Sequence, residues 1–287
     1  MMRSVVVIGS GVVGTATGKG LSAGGHEVAF VDSDPARVDE LRSEGCTAGT
    51  RVELGGTEVV VFLTVPTPVR DGRFVLDALE GAARAVAEAM LKSTAHCTVV
   101  VRSTTPPGTC DRVVQPIIEE MTGLRCGDGF SLVCSPEFLR AATAFDDFVA
   151  PRLTLIGSRE PAAVERLMWL FAPFGGRTVT TDDPVAAELI KCLHNAFNAT
   201  KISFWNEAAA IARALGVDSD LVAETVAFSA EASYNPAYGI RGGAAFRGCL
   251  AKDTEGLIGV AQQSAMPTAL LEAVMLVNDA LSRDEQG

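Results

Sequence analysis

The ten residues Val5-Val6-Val7-Ile8-Gly9-Ser10-Gly11-Val12-Val13-Gly14 constrain the fold of this chain more than any other stretch. Four β-branched residues in a row read as a strand buried on both faces, the pattern of a central strand in a parallel sheet. The glycines at positions 9, 11 and 14 fit a tight turn into a helix. The first permits the turn, the second lets the backbone approach a pyrophosphate, and the third lets helix pack on strand, with the helix N-terminus facing the negative charge. The next apolar run, 28–31, ends in Asp32, eighteen residues beyond Gly14, where a carboxylate accepts hydrogen bonds from an adenosine ribose. That carboxylate disfavours a 2′-phosphate, and Ser33 and Asp34 follow it with no adjacent arginine, so the expected cofactor is NAD rather than NADP. Arg37 is within reach of a cofactor phosphate. The bland alternative is a domain of the same shape whose glycines serve only the turn.

Further apolar runs at 59–63, 98–101, 132–134 and 153–156 are separated by segments such as 77–91, whose Ala, Leu, Val and Met positions suit helices. Strand and helix alternate, which predicts βαβ units and a doubly wound parallel sheet of the Rossmann type. Beyond residue 184 the texture changes. Residues 184–215 form one Ala-rich stretch without internal Gly or Pro, stopped by Gly216. Further helices are expected near 218–230, from 249, and around 269–281, with a Gly-rich loop at 238–248. A chain of 287 residues has room for one large or two modest domains. The expectation is an α/β NAD-binding domain over 1–183, then an all-helical domain over 184–287 carrying a long central helix.

Composition narrows the partners. With 24 Lys+Arg against 35 Asp+Glu the net charge is −11, which repels nucleic acid and anionic lipid. Apolar residues make up 48%, enough to fill a core, yet no run approaches the roughly 20 residues that span a bilayer. The start, Met1-Met2-Arg3-Ser4, runs straight into a strand rather than a signal peptide, so the expected location is the cytoplasm. Seven cysteines without Cys-x-x-Cys or Cys/His spacing predict neither a disulfide framework nor a metal site.

Several stretches carry polar residues where chemistry is expected. Ser103-Thr104-Thr105-Pro106 and Ser135-Pro136-Glu137 each follow an apolar strand, at the edge where doubly wound sheets hold ligands. On local grounds the first reads equally well as a turn before prolines. Lys191 and Asn195 are four residues apart on the long helix and share a face, an ammonium and an amide suited to clamp an oxyanion. Cys249 opens a stretch of helical period, where the helix dipole and a nearby lysine, Lys252, favour the thiolate. Asp253 follows one turn later, placed to hold a water or orient the thiol. The other six cysteines read as small core residues.

Together these stretches resemble the UDP-glucose/GDP-mannose dehydrogenase family. The likeness runs in order through the fingerprint, Val65-Pro66-Thr67-Pro68, Ser103–Pro106, Ser135-Pro136-Glu137-Phe138-Leu139, the segment from Ala187 to Phe197, and Cys249-Leu250-Ala251-Lys252-Asp253. The resemblance implies a twofold, NAD-dependent oxidation of a sugar primary alcohol to a carboxylate through an aldehyde and a Cys249 thioester. It implies that Lys191 and Asn195 steady the alkoxide and oxyanion, that Asp253 and Thr104 position water or relay protons, and that Glu137 acts in thioester hydrolysis. Thr67 and Thr104 join Gly9, Gly11, Gly14, Asp32 and Arg37 around the cofactor, and Lys191, Lys252, Arg241 and Arg247 face the substrate. The spacing from Pro236 to Cys249 is closest to the GDP-mannose branch, and the long helix is expected to form a homodimer.

Three departures stand out. Ala141 occupies a position where the family has glutamate; Phe246-Arg247-Gly248 precedes the cysteine in place of Gly-Gly-Ser; Ala251 replaces a proline. The family also carries a third, nucleotide-binding domain beyond the stretch matched here, and Arg241 and Arg247 are the candidates expected to clamp the anionic part of a nucleotide-sugar or nucleoside-like substrate. Two other readings compete: a two-electron alcohol dehydrogenase resembling the β-hydroxyacid dehydrogenases, in which Cys249 is dispensable, and an NAD-binding pseudoenzyme or partner subunit.

Overall fold

A computed structural model describes residues 4–214, 216–229, 245–263 and 268–284. The chain packs as two compact units, one of Met1–Pro68 and Val75–Lys191, the other of Val69–Phe74 and Cys192–Gly287. The first turns of the long helix thus pack with the sheet, and a six-residue piece from the first half packs with the helices.

The first unit alternates strand and helix from its start: β1 (Ser4–Ile8), α1 (Val12–Ala23), β2 (Glu27–Val31), α2 (Pro35–Ser43), β3 (Thr47–Gly49) and β4 (Glu58–Leu63). The short strands β5 (Val69–Arg70) and β6 (Arg73–Phe74), which belong to the other unit, come next. The first unit resumes with α3 (Asp77–Met90), β7 (His96–Val101), α4 (Gln115–Thr122), β8 (Phe130–Cys134), α5 (Ala144–Val149), β9 (Leu153–Gly157), α6 (Pro161–Phe171) and β10 (Arg177–Thr181). The sheet order is β10-β9-β8-β7-β4-β1-β2-β3. From β3 to β8 every neighbouring pair is parallel, and the order reverses between β1 and β4, the crevice where such sheets bind dinucleotides.

One departure from a purely parallel sheet lies at the β8 edge. β9 meets β8 antiparallel at Cys134 and Gly157, and β10 runs parallel to β9. The Ser135 hydroxyl donates to the Leu155 carbonyl at 2.8 Å and the Ser158 hydroxyl to the Leu132 carbonyl at 2.8 Å, so the segment leaving β8 is stitched to β9. The connection between β8 and β9 carries a three-residue 3₁₀ turn and the six-residue α5 rather than a full crossover helix, which suits an antiparallel return.

Alternation along the strands splits the core in two. Val6, Ile8, Val61, Leu63, Val99 and Val101 pack with Leu79, Ala83 and Val86 of α3 and Ile118 of α4. Val5, Val7, Val60, Phe62, Val100 and Val133 pack with Leu21 of α1, Leu41 of α2, Phe148 of α5 and Leu167 and Leu170 of α6. The sheet is covered on both faces, as its unbroken apolar strands require.

The second unit holds the β5–β6 ribbon, α7 (Pro184–Ala214) from Cys192 onward, α8 (Ser219–Ser229), α9 (Cys249–Gln263) and α10 (Ala269–Asp284). Small apolar clusters join Cys192 and Ala196 to Leu257, and Ala199 to Phe246 and Val274. Trp205, Ala209, Ala212 and Ala223 are buried as well, beside many polar side chains: Asn195, Asn198, Lys201, Ser203, Asn206, Asp253, Thr254 and Asn278. Most of the Gly-rich loop, with Pro236, Tyr238, Arg241 and Gly242, lies outside the described residues. Among the described residues no helix is long and apolar enough to cross a membrane.

Candidate active site

The glycine turn is built as its spacing requires. Gly9 has φ +89°, a conformation open to glycine, and a β-carbon on Gly14 would sit 1.9 Å from the Gly9 carbonyl oxygen. A β-carbon on Gly11 would meet nothing within 4 Å, so the middle glycine borders open space. Gly11 is also the N-cap of α1, where no side chain caps the helix and no acidic residue occupies the first turn. The leading N–H groups of α1 therefore suit an incoming anion.

Asp32 closes the same end of the sheet. One carboxylate oxygen accepts from the Ser10 amide and hydroxyl, each at 2.7 Å, and the other from the Asp34 amide at 3.0 Å. Burial raises its pKa, but these bonds and the nearby Arg37 charge outweigh that and hold the carboxyl below its ordinary value. It is an anionic acceptor at neutral pH, as ribose hydroxyls require. Arg37 donates to the Ser10 carbonyl at 2.9 Å and the Thr15 hydroxyl at 2.7 Å and pairs with Glu40, so it braces the turn. Across the switch point, the Thr67 hydroxyl donates to the Thr104 carbonyl at 2.6 Å, and the Ser103 hydroxyl to the Val65 carbonyl at 2.7 Å. These residues fit a dinucleotide: unfilled helix-end donors, a ribose acceptor, and hydroxyl-bearing loops beyond β4 and β7.

Glu137 and Lys191 meet in the first unit. The Lys191 Nζ lies 3.2 Å from Glu137 Oε1, and the side chains are 5% and 11% exposed. The ammonium also lies 5.4 Å from the Phe138 ring centroid, while Glu137 accepts the Leu139 amide. Burial makes the Lys191 ammonium depend on this carboxylate, and the charge of the buried Arg102 faces the same carboxylate, so Glu137 offsets two buried cations. Arg140 ends this segment by gripping Asp147 through three bonds of 2.6, 2.8 and 3.0 Å, and Ala141 opens a short 3₁₀ turn.

In the second unit Cys249 is the first residue of α9 and alone among the cysteines is exposed. Cys97, Cys110, Cys134 and Cys192 are buried; burial pushes the Cys97 thiol up to about 12, a proton held too tightly for nucleophilic work. One turn after Cys249, the buried Asp253 accepts from the Asn195 amide and lies 2.9 Å from the Lys252 ammonium. Asn195 and Lys191, one turn apart on α7, thus each have a carboxylate: Asp253 for the amide, Glu137 for the ammonium. Arg247 is exposed, and Phe246 is buried with its amide donating to Asn278 at 2.7 Å. Arg241 lies outside the described residues.

Two buried charges escaped the sequence reading. Arg102 donates to the Thr17 hydroxyl at 3.0 Å and the Ser135 carbonyl at 3.1 Å and lies within 6 Å of the Phe148 and Phe171 rings. Burial pulls its pKa down to about 10. It ties the root of the Glu137 segment to α1, and an arginine directly after the apolar Val99–Val101 run of β7 was the signal for it. Glu188 accepts the amides of Gly108 and, at 2.8 Å, Cys110, and so secures the loop that follows Thr104. It stands three residues before Lys191, on an adjoining face of α7.

Residues 3–51 and 55–175 match the sequence model of the UDP-glucose/GDP-mannose dehydrogenase family, NAD binding domain, and residues 185–280 match the central domain of that family. The chain is 36% identical to a GDP-mannose 6-dehydrogenase of Azotobacter vinelandii, covering 96% of this chain and 68% of that protein. It is 34% identical to a UDP-glucose 6-dehydrogenase of Haloferax volcanii, covering 95% and 69%. The solved structure of a UDP-glucose dehydrogenase from Pyrobaculum islandicum superposes with a TM-score of 0.88 at 30% identity, covering 99% of this chain and 69% of that one. The chain belongs to the UDP-glucose/GDP-mannose dehydrogenase family and is an NAD-dependent dehydrogenase acting on CH–OH groups.

Proposed function

We propose that this chain oxidises the primary alcohol of a nucleotide sugar to the carboxylate, with Cys249 as the covalent nucleophile. The observation that carries the proposal is an exposed thiol at the start of α9, one turn before a buried carboxylate that engages both an amide and an ammonium. NAD, when bound, takes up one hydride in each of two oxidations. The overall balance is one alcohol, one water and two NAD⁺ giving one carboxylate, two NADH and three protons.

In the first oxidation the alcohol loses its proton and a hydride to become an aldehyde, and Lys191 and Asn195 stabilise the alkoxide. The Cys249 sulfur then adds to the aldehyde carbon, and its proton passes to the carbonyl oxygen. Loss of the second hydride and the hydroxyl proton gives a thioester on Cys249. Asp253 and Thr104 position water and relay protons, and Glu137 assists attack of water on the thioester, which releases the acid and restores the thiol. Ala141 leaves hydrolysis to Glu137 without the second glutamate of the family pattern. Lys252, Arg247 and Arg241 supply cations for the substrate phosphates, and NAD occupies the Gly9–Gly14 turn, Asp32, Thr67 and Thr104.

The exposed stripe Ile190, Leu193, Phe197 and Phe204 on α7 is the proposed homodimer surface, an apolar face covered by a second copy. The activity is tested by incubating the protein and NAD with GDP-mannose, UDP-glucose and other nucleotide sugars and weighing the products by mass spectrometry. A uronic-acid product from any of them supports the proposal. A ketone or aldehyde end product, with Cys249→Ser as active as the parent, identifies a two-electron dehydrogenase instead.

A further inference from the structure

The β5–β6 ribbon comes from the sequence of the sheet unit yet packs with the helices. Its turn has positive φ at both central residues, 51° at Asp71 and 69° at Gly72, the two-residue hairpin turn that twists with its strands. A ribbon of two such short strands does not hold its shape alone in water, so it needs a surface to lie on. That surface is α9. A β-carbon on Gly259 would sit 1.8 Å from the Gly72 carbonyl oxygen, and one on Gly256 would sit 2.2 Å from Cε2 of Phe74. Glycine inside a helix is unfavourable by about 1 kcal/mol relative to alanine. Two of them facing the ribbon mark a close approach that no side chain permits. Residues 252, 256 and 259 share one face of α9, and the Lys252 ammonium lies 5.6 Å from the centroid of the same Phe74 ring while reaching Asp253 at 2.9 Å.

We infer that Phe74, seated on Gly256 and held by the Gly72–Gly259 backbone contact, is a positioning residue that fixes the Lys252 ammonium against Asp253. The ribbon is therefore part of the substrate site rather than a surface decoration. The ring gives the ammonium a cation–π face on one side and Asp253 holds it on the other, so Lys252 meets the anionic part of a nucleotide sugar in one orientation. This rests on the proposed role of Lys252 in substrate binding.

The test compares Phe74→Ala, Phe74→Tyr, Gly259→Ala and Lys252→Ala, with GDP-mannose and UDP-glucose as probes. Phe74→Ala and Gly259→Ala are expected to raise KM for the sugar nucleotide about tenfold, the scale of a lost cation–π contact, while KM for NAD stays within about twofold. Phe74→Tyr keeps the ring face and is expected to restore the parent values. Adding Phe74→Ala to Lys252→Ala is expected to cost nothing more, because one interaction cannot be lost twice. A Phe74→Ala variant that melts earlier but keeps both KM values, while Lys252→Ala is impaired, overturns the positioning role alone. Lys252→Ala with parental kinetics overturns the assignment of Lys252 itself, a result distinct from any failure of the Phe74 variants.

Discussion

The Glu137–Lys191 pair lies almost wholly out of water, and its energetics follow from that. Removing one partner of such a pair strands the other charge, so Lys191→Met alone is expected to destabilise the fold by about 3 kcal/mol in urea titration. Lys191→Met combined with Glu137→Gln is expected to recover little of that loss, since the neutral glutamine no longer offsets the buried Arg102 charge. Asp147 carries a different signature. Hydrogen bonds from Arg140 outweigh burial and, with Thr143, bring its carboxyl from 3.8 down to about 2. Its folded pKa is depressed, so its contribution to stability is in full force above about pH 4 and drains away as pH falls toward 2. Asp147→Asn is expected to be less stable than the parent at neutral pH and to lose less between pH 4 and 2, as read from thermal melting across that range.

At the scale of elements, the β1-turn-α1 unit separates folding from cofactor binding at two glycines. Gly14→Ala forces a β-carbon to within 1.9 Å of the Gly9 carbonyl and is expected to lower the melting temperature by several degrees, the shift that roughly 1–3 kcal/mol of overpacking produces in a chain of this size. Gly11→Ala points into open space and is expected to melt with the parent while binding NAD at least about tenfold more weakly, measured by calorimetry. This unit was fully legible because one motif dictates a strand, a turn, a helix and an acceptor within about thirty residues. The β5–β6 ribbon was not, since two residues per strand leave no periodicity to read, and its partner α9 lies far along the sequence. β10 was missed because Arg177-Thr178-Val179-Thr180-Thr181 is a polar edge strand without the apolar run of its neighbours. The reversed direction of β9 left no trace either, because an apolar run looks the same whichever way it points. Of the proposed site, Glu137, Lys191, Asn195, Cys249 and Asp253 stand out in the sequence as polar residues at strand ends and on helix faces. Arg102 and Glu188 do not, since their work is done by partners that only folding brings near.

For the whole molecule, the exposed stripe on α7 and the cysteine chemistry each make a global demand. Phe197 is 58% exposed and Leu193 49%, an area of apolar surface that a lone chain gains nothing by displaying. The double variant Leu193→Glu with Phe197→Glu is expected to run as a monomer in light scattering where the parent runs as a dimer; a parent that is itself monomeric removes the second copy from the account. The covalent role of Cys249 is read from the ratio of reduced cofactor to product. The parent is expected to form two NADH for each molecule of acid, and Cys249→Ser to fall by at least about a thousandfold in acid production, in line with loss of a covalent nucleophile. One NADH per product, at a rate that Cys249→Ser leaves unchanged, would contradict it.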